Sequence, residues 1–201
     1  MNPSPRPLRV VAVSGSYSNP SRTTELVAAI AEAFGRVIPI EVHVISLHEL
    51  GPHLAGALDR KRIVDVAERQ LQRIEAADLL IVATPVYRAS FTGLFKYVFD
   101  FIDQYALVDT PVLLSATGGS DRHALIIEHQ LRPLFAFFQS LVLPLGVYAQ
   151  DSDFEDYRIV NETLTDRIEK AVARSLPLVK SSFHERLEAE RTLAGEALAY
   201  S

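Results

Sequence analysis

The chain has 201 residues, of which 48% are apolar and 22% charged, so it can form one sizeable core and is unlike a wholly disordered chain. Its net charge of −5 argues against nucleic acid as the main partner, because phosphate binding favours a basic face. The absence of cysteine excludes disulfides, thiolate metal sites and a cysteine nucleophile. We see no signal-peptide pattern and no apolar run of the roughly 18 residues that a membrane span needs, and therefore predict a cytoplasmic protein.

Short apolar runs alternate with segments of helical periodicity along the chain. The runs predict five buried strands, at residues 8–13, 40–45, 79–83, 112–116 and 141–147. The periodic segments predict helices at residues 23–34, 63–77, 94–102, 123–138 and 164–179. Gly51, Pro52 and Gly56 predict a linker without a helix over residues 47–62. The alternation predicts a doubly wound α/β fold, with helices on both faces of a five-stranded parallel sheet.

The loop after the first predicted strand carries several hydroxyl groups and a glycine directly before a helix. This first loop reads SGSYSNPSRTT over residues 14–24. Its backbone N–H groups and the positive end of the helix suit a phosphate, although the same residues could serve only to cap the helix. It matches neither GxxxxGK[ST] nor GxGxxG, so it is neither a P-loop nor the dinucleotide fingerprint.

Two further strand ends carry residues suited to a flat ligand. The second loop, residues 84–90, contains Pro85, which fixes the turn, and the aromatic ring of Tyr87. The third loop, residues 117–120, contains two glycines that let a planar group approach the backbone. Each could by itself be an ordinary βα turn. Because ligands bind outside the carboxyl ends of parallel strands, the three loops together predict a mononucleotide with a flat heterocycle.

Three motifs carry a resemblance to a known family: SGSYSNPSRTTEL, ATPVYRASFTGLFK and ATGGSDRHALIIEHQLRP. In this order and spacing they resemble the NADPH-dependent FMN reductases, most closely the branch linked to alkanesulfonate and methanesulfonate use, over residues 9–179. The resemblance implies a flavodoxin-like sheet of strand order 2-1-3-4-5. We predict that this domain spans residues 8–180. Residues 181–201 lie outside the resemblance, and their polar sequence predicts a C-terminal helical tail.

The resemblance also implies which residues bind the FMN cofactor. The first loop would hold the phosphate through Ser14, Ser16, Ser21, Arg22 and Thr23. The second loop would flank the isoalloxazine ring through Pro85, Val86, Tyr87 and Arg88. The third loop would contact the ring through Thr117, Gly118 and Gly119. The reaction is hydride transfer from NADPH or NADH to FMN, which needs alignment of the cofactors, so no catalytic residue is predicted.

The implied function is an NAD(P)H-dependent FMN reductase that passes reduced FMN to a partner monooxygenase in sulfonate or other organosulfur use. Two alternatives in the same fold stay open: a quinone or azo reductase that retains its flavin, and a flavodoxin-type electron carrier. The carrier is the less favoured, since such proteins tend to be strongly acidic and −5 on 201 residues is mild. The sequence does not indicate a preference between NADPH and NADH, because Arg22 and Arg88 could serve either nucleotide or FMN.

The predicted helix over residues 123–138 carries apolar residues on too many sides to pack on one sheet. The apolar side chains that cannot face the sheet would be buried against another subunit, so we predict a homo-oligomer. The resemblance implies dimers that pair into tetramers, with this helix at the interface and, in some relatives, a π-type bulge. Pro133 lacks the N–H that would bond back to the His129 carbonyl, so we predict an irregular helix from His129 to Pro133.

Histidines elsewhere are less informative. His123 follows the third loop and could contact a flavin or a nicotinamide, or simply face solvent. His48 and His53 are five residues apart across Gly51 and Pro52, so one helical face cannot present both, and we predict no metal site.

Overall fold

The structure, a computed structural model, describes residues 6–199, with side chains as far as residue 193. Within this range the strands are β1 (Leu8–Ser14), β2 (Ile40–Ser46), β3 (Leu79–Pro85), β4 (Pro111–Gly118), β5 (Leu141–Val142), β6 (Val147–Gln150), β7 (Phe154–Glu155) and β8 (Arg158–Ile159). The α-helices are α1 (Arg22–Gly35), α2 (Leu47–Leu54), α3 (Asp65–Glu75), α4 (Gly93–Phe99), α5 (Arg132–Phe137) and α6 (Glu162–Ala199). A π-helical turn spans Ile127–Leu131, and 3-10 turns lie at Arg60–Arg62, Asp121–His123 and Asp151–Asp153.

The main sheet is parallel and has the order β2-β1-β3-β4-β5, with β6 also paired to β4. The predicted flavodoxin-like fold and its strand order are therefore confirmed. The prediction of one continuous fifth strand is wrong, because β5 and β6 are separate strands along the same edge of β4. Pro144 lies between them and has no N–H group to donate to a neighbouring strand, so the strand is interrupted there. At Gly146 a Cβ atom would lie 2.6 Å from Ile127 Cγ2, so the backbone runs too close to its neighbours for a side chain.

Alternate residues of the central strands face opposite helical layers. On β1, Leu8, Val10 and Ala12 pack in a cluster with α1 and α6. Val11 and Val13 pack in a second cluster with α2, α3, α4 and α5. Both faces of the sheet are covered, which is why its strands read as continuous apolar runs.

The segment over residues 47–62, predicted to contain no helix, contains α2, so that prediction is wrong. Leu47, Leu50 and Leu54 are buried at helical spacing, and this burial outweighs the backbone bond that Pro52 cannot make. Gly51 lets α2 approach α4, because a Cβ there would lie 2.7 Å from Cδ2 of Leu94.

The predicted helix over residues 123–138 is irregular. After the 3-10 turn, the π-helical turn Ile127–Leu131 precedes α5, and the Arg132 N–H donates to the Ile127 carbonyl five residues back. Pro133 stands in the first turn of α5, where a missing N–H costs little. The prediction of an irregular helix is confirmed, and the irregularity begins two residues before His129.

α6 runs unbroken from Glu162 to Ala199, so residues 181–199 of the predicted helical tail continue this helix. Phe183 lies in the same buried cluster as α1. The boundary at residue 180 therefore falls inside one helix, and the last two residues of the tail lie outside the described residues. Among residues 6–199, no helix is long and apolar enough to cross a membrane.

Candidate functional site

A cleft of about 330 Å³ opens at the carboxyl ends of β1, β3 and β4. We call it the main cleft. Its lining includes all the predicted binding residues except Ser14 and Arg88. Ser18, Asp151 and Tyr157 also line it, and these were not predicted. The sheet therefore brings the three loops together at one edge.

The first loop caps α1 and also leaves donors beside the main cleft. Ser21 Oγ accepts hydrogen bonds from the N–H groups of Thr23 and Thr24 at 3.2 and 3.3 Å. Ser21 is therefore the N-cap residue of α1. Within residues 6–199, nothing accepts a hydrogen bond from the backbone N–H groups of Ser16 or Arg22, which lie near the positive end of α1. The loop can cap its helix and still bind an anion.

Two hydroxyl pairs fix the first loop. Thr23 Oγ1 lies 2.7 Å from Thr117 Oγ1, which joins the first loop to the third. Ser14 is fully buried behind the loop, with its Oγ 2.8 Å from Thr24 Oγ1. Ser14 thus supports the loop and does not line the main cleft.

The second loop is a tight turn with unusual backbone angles. Tyr87 and Ser90 exchange backbone hydrogen bonds of 2.9 and 3.1 Å, and the corner residues Arg88 and Ala89 have φ values of 51° and 67°. Non-glycine residues seldom adopt this left-handed conformation, and such strain clusters at functional sites. The turn puts Arg88 at its exposed tip, away from the main cleft.

The ring of Tyr87 is held at the rim of the main cleft. It meets the ring of Tyr17 edge to face, with centroids 5.5 Å apart. Tyr17 is itself anchored, because its Oη accepts a 2.9 Å hydrogen bond from the Leu94 N–H. The Val86 N–H donates to the Thr117 carbonyl at 2.8 Å, which joins the second loop to the third. Tyr87 remains 48% exposed, so its ring is available to a flat ligand.

The two glycines of the third loop have different surroundings. A Cβ on Gly118 would lie 2.3 Å from Tyr148 Oη, whereas a Cβ on Gly119 would meet nothing within 4 Å. The Tyr148 hydroxyl donates to the Ser120 carbonyl. Burial, with the nearby Asp151, Asp121 and Asp153 carboxylates, raises the pKa of Tyr148 and keeps this donor protonated. Gly118 therefore makes room for Tyr148, and only Gly119 leaves open space for a ligand.

Two of the residues that sequence reasoning missed, Asp151 and Tyr157, lie beyond β6, whereas Ser18 lies within the first loop. Asp151 directly follows β6, and its Oδ1 lies 3.0 Å from Nη1 of Arg22. Its position after a parallel strand was a usable signal, because such positions share one edge of the sheet. Tyr157 lies in the β7–β8 hairpin, and the Arg22 guanidinium lies 5.8 Å from its ring centroid. No sequence pattern indicated that this hairpin folds back over the first loop.

A smaller cleft of about 170 Å³, the side cleft, also lies against the second loop and shares Val86 with the main cleft. Val86 and Ala89 line it together with His123 and His129, so His123 lies close to the second loop. Ser90 Oγ donates to Oε1 of Gln130 at 3.0 Å, which ties the second loop to the π-helical turn. Within residues 6–199, no group of three or more His, Cys, Asp or Glu side chains could hold a metal ion.

Comparison with known proteins agrees with this geometry. The model of the family described as NADPH-dependent FMN reductase matches residues 8–155. The chain belongs to this family. Its members are oxidoreductases, and FMN and a reduced nicotinamide nucleotide are their cofactors. The part of the chain matched by the family model includes all three loops. It also includes every residue that lines the side cleft, and every residue that lines the main cleft except Tyr157.

Similar FMN reductases include close relatives from pseudomonads. The chain is 54% identical to the NADH-dependent FMN reductase SfnF of Pseudomonas fluorescens, over 86% of this chain and 92% of the relative. It is 52% identical to an FMN reductase (NADPH) of Pseudomonas aeruginosa, with the same coverage of both chains. Among solved structures, an oxidoreductase from Corynebacterium diphtheriae superposes with a TM-score of 0.78 at 34% identity, covering 87% of this chain and 98% of the other.

Proposed function

We propose that FMN binds in the main cleft and is reduced there by NADPH or NADH. The observation that carries this proposal is the meeting of three loops, one suited to a phosphate and two to a flat ring, around a single cleft. Open parallel sheets bind ligands at this edge. Family membership supplies the identity of the ligand, and the main cleft offers residues that fit it.

The first loop suits the phosphate of FMN. The free backbone N–H groups of Ser16 and Arg22 lie near the positive end of α1, and the Arg22 guanidinium lines the main cleft. A phosphate here would accept charge-assisted hydrogen bonds, which are stronger than neutral ones. Ser21 and Thr23 complete this end of the site, with Ser14 holding the loop from behind.

The second and third loops suit the ring of FMN. Tyr87 offers an aromatic face, with Pro85 and Val86 beside it in the lining of the main cleft. Gly119 leaves open space, so a planar group can approach the backbone of the third loop. Arg88 lies outside the lining, and its contact with the ring stays a prediction.

The residues of the main cleft bind and align the cofactors and do not themselves react. FMN, when bound, supplies the acceptor for the hydride of the nicotinamide. The work of the chain is to hold two flat rings in register and to exclude water between them. This work requires no acid–base group, and we assign no residue a catalytic role.

We further propose that the protein acts in the cytoplasm and supplies reduced FMN to a partner monooxygenase, in the use of sulfonates or other organosulfur compounds. The support is the resemblance of the three motifs to the sulfonate-linked branch, together with the 54% identity to SfnF. The Tyr87 and Arg22 side chains of the main cleft are 48% and 42% exposed, and this partial exposure fits a flavin that enters and leaves.

The two alternatives would differ in their preferred acceptor. A quinone or azo reductase would keep its flavin and turn over a quinone much faster than free FMN. A carrier would hold FMN tightly, and NADPH would not bleach it. The test measures NADPH and NADH oxidation with FMN, FAD, riboflavin and a quinone as acceptors. We expect FMN to be the fastest acceptor, and quinone turnover far above that of FMN would contradict the proposal.

The placement of the phosphate predicts a selective loss of FMN binding. Ser16→Ala combined with Arg22→Ala should weaken FMN binding by about 1.5–3 kcal/mol for each charge-assisted bond lost. Riboflavin binding should change little, because riboflavin has no phosphate. Fluorescence titration of both flavins measures the difference. Equal losses for the two flavins would remove the first loop from the phosphate site.

We also propose a homo-oligomer, a dimer or a tetramer, with the irregular helix at the interface. Leu125 and Phe137 are 63% and 64% exposed. Exposure of such large apolar side chains to water is unfavourable and is typical of an interaction surface. Phe137 lies in a depression of about 430 Å³ whose other apolar lining residues are Phe99, Ile102, Leu134 and Phe138, with Lys96, Asp100 and Gln104 also in the lining. A second copy of the chain would cover this surface and bring the Ser90–Gln130 link close to the subunit boundary.

A further inference from the structure

Asp151 places a carboxylate beside the arginine that we assign to the phosphate. Its Oδ1 lies 3.0 Å from Nη1 of Arg22, and both side chains line the main cleft. The ring of Tyr157 lies against the same guanidinium, 5.8 Å from centroid to Cζ. An anion that binds to Arg22 therefore has a negative neighbour.

The local fold does not require this carboxylate. The 3-10 turn that begins at Asp151 is capped by the side chains of Gln150 and Asp153. Asp151 makes no side-chain hydrogen bond other than that to Arg22 within the part of the chain that the structure describes. The side chains of Arg22 and Asp151 are 42% and 56% exposed, and ion pairs with this exposure stabilise a fold very little.

We propose that Asp151 lowers the affinity of the main cleft for the phosphate of FMN and so makes the flavin an exchangeable ligand. Asp151 repels a phosphate dianion and occupies one donor of Arg22, so it is a positioning residue that acts through Arg22. A unit charge about 6 Å from a dianion, in water-like surroundings, changes affinity by about tenfold. The proposal rests on the placement of the phosphate at the first loop.

The substitution Asp151→Asn tests the proposal, because it keeps the size of the side chain and removes its charge. The dissociation constant for FMN should fall by about tenfold, and FMN should dissociate more slowly in stopped-flow experiments. The affinity for riboflavin should not change, because riboflavin carries no phosphate. A purely structural role would alter the binding of both flavins.

Asp156→Asn is the matched control. It makes the same change in net charge in the neighbouring β7–β8 hairpin, where Asp156 is exposed and does not line the main cleft. Asparagine also tolerates the φ of 44° found at this position. FMN affinity in this variant should stay within about twofold of the wild type, because Asp156 makes no ion pair with Arg22 and its exposed charge is screened by salt. In an Arg22→Ala background, the gain from Asp151→Asn should shrink.

The outcomes separate the two proposals. If the wild type prefers FMN to riboflavin and Asp151→Asn brings no gain for FMN, or an equal gain for both flavins, the role of Asp151 is overturned and the phosphate site stands. If Asp156→Asn matches Asp151→Asn, the effect is one of net charge and the role is likewise overturned. If the wild type binds riboflavin as tightly as FMN, the placement of the phosphate fails, and the role of Asp151 fails with it.

Discussion

Gly118 and Gly119 are neighbours in the chain with different reasons to lack a side chain. Gly119 lines the main cleft, and a Cβ atom there would meet nothing within 4 Å. Its φ does not lie in the left-handed region, so residues other than glycine can adopt its backbone conformation. Gly119→Val should therefore leave the melting temperature of the apo protein unchanged. It should raise the FMN dissociation constant by about tenfold or more, since a branched side chain would obstruct the ring. Thermal melts and flavin titration measure the two effects.

Gly118→Val provides the contrast at the adjacent position. Its side chain would collide with Tyr148 Oη and crowd Val86, so the apo protein should lose about 1–3 kcal/mol of stability. If Gly119→Val also lowers the apo melting temperature, both glycines serve backbone geometry. The third loop would then lose its assignment to the ring.

At the scale of elements, Asp78 ties α6 to the start of the chain. Its carboxylate is fully buried before β3 and accepts hydrogen bonds from Arg6, Arg9 and Arg186. Burial alone would raise the pKa of Asp78, but the hydrogen bonds from Arg6 and Arg9 outweigh it and hold that pKa well below 3.8. Asp78→Asn should cost about 3 kcal/mol of stability at pH 7, measured by urea unfolding, because it breaks a buried ion pair.

The lowered pKa also gives this loss a pH dependence. A carboxyl whose folded pKa is depressed contributes stability above its unfolded pKa and loses it as the pH falls through the folded value. The stability difference between wild type and Asp78→Asn should therefore be constant near neutral pH and shrink below about pH 3.8. Glu190→Gln is the control. Glu190 binds two of these arginines, Arg6 and Arg9, but its side chain is 44% exposed, so its loss should lower the stability by under about 1 kcal/mol. A difference that keeps its full neutral-pH size down to pH 2 would contradict the ion-pair account.

At the scale of the whole molecule, the exposed apolar side chains of the irregular helix predict assembly. Phe137→Asp should shift the protein toward a monomer of 22.3 kDa in sedimentation equilibrium at micromolar concentration, because it puts a charge into an apolar contact. Val37→Asp, at an exposed site just after α1 on the opposite layer, should leave the assembly unchanged. A wild type that is already monomeric would refute the interface.

The sequence by itself determined the fold of this protein and most of its candidate site. The strands are short β-branched runs and the helices are periodic, so both are local signals that survive folding. The topology of a parallel sheet then brings the ends of β1, β3 and β4 to one edge, which is why Ser16, Tyr87 and Gly119 could be placed together from their order alone.

Tertiary structure decided what local signals cannot carry. Gly51 and Pro52 read as a break, yet buried leucines hold α2 together around them. Gly118 and Gly119 look equivalent in sequence, and only the position of Tyr148, thirty residues on, separates their roles. Tyr157 reaches Arg22 only because the β7–β8 hairpin folds back over the first loop. Asp151 reaches the same guanidinium from the end of β6, and only the folded structure shows that the two side chains pair. These contacts join residues far apart in the chain, and their energies depend on distances that no local pattern encodes.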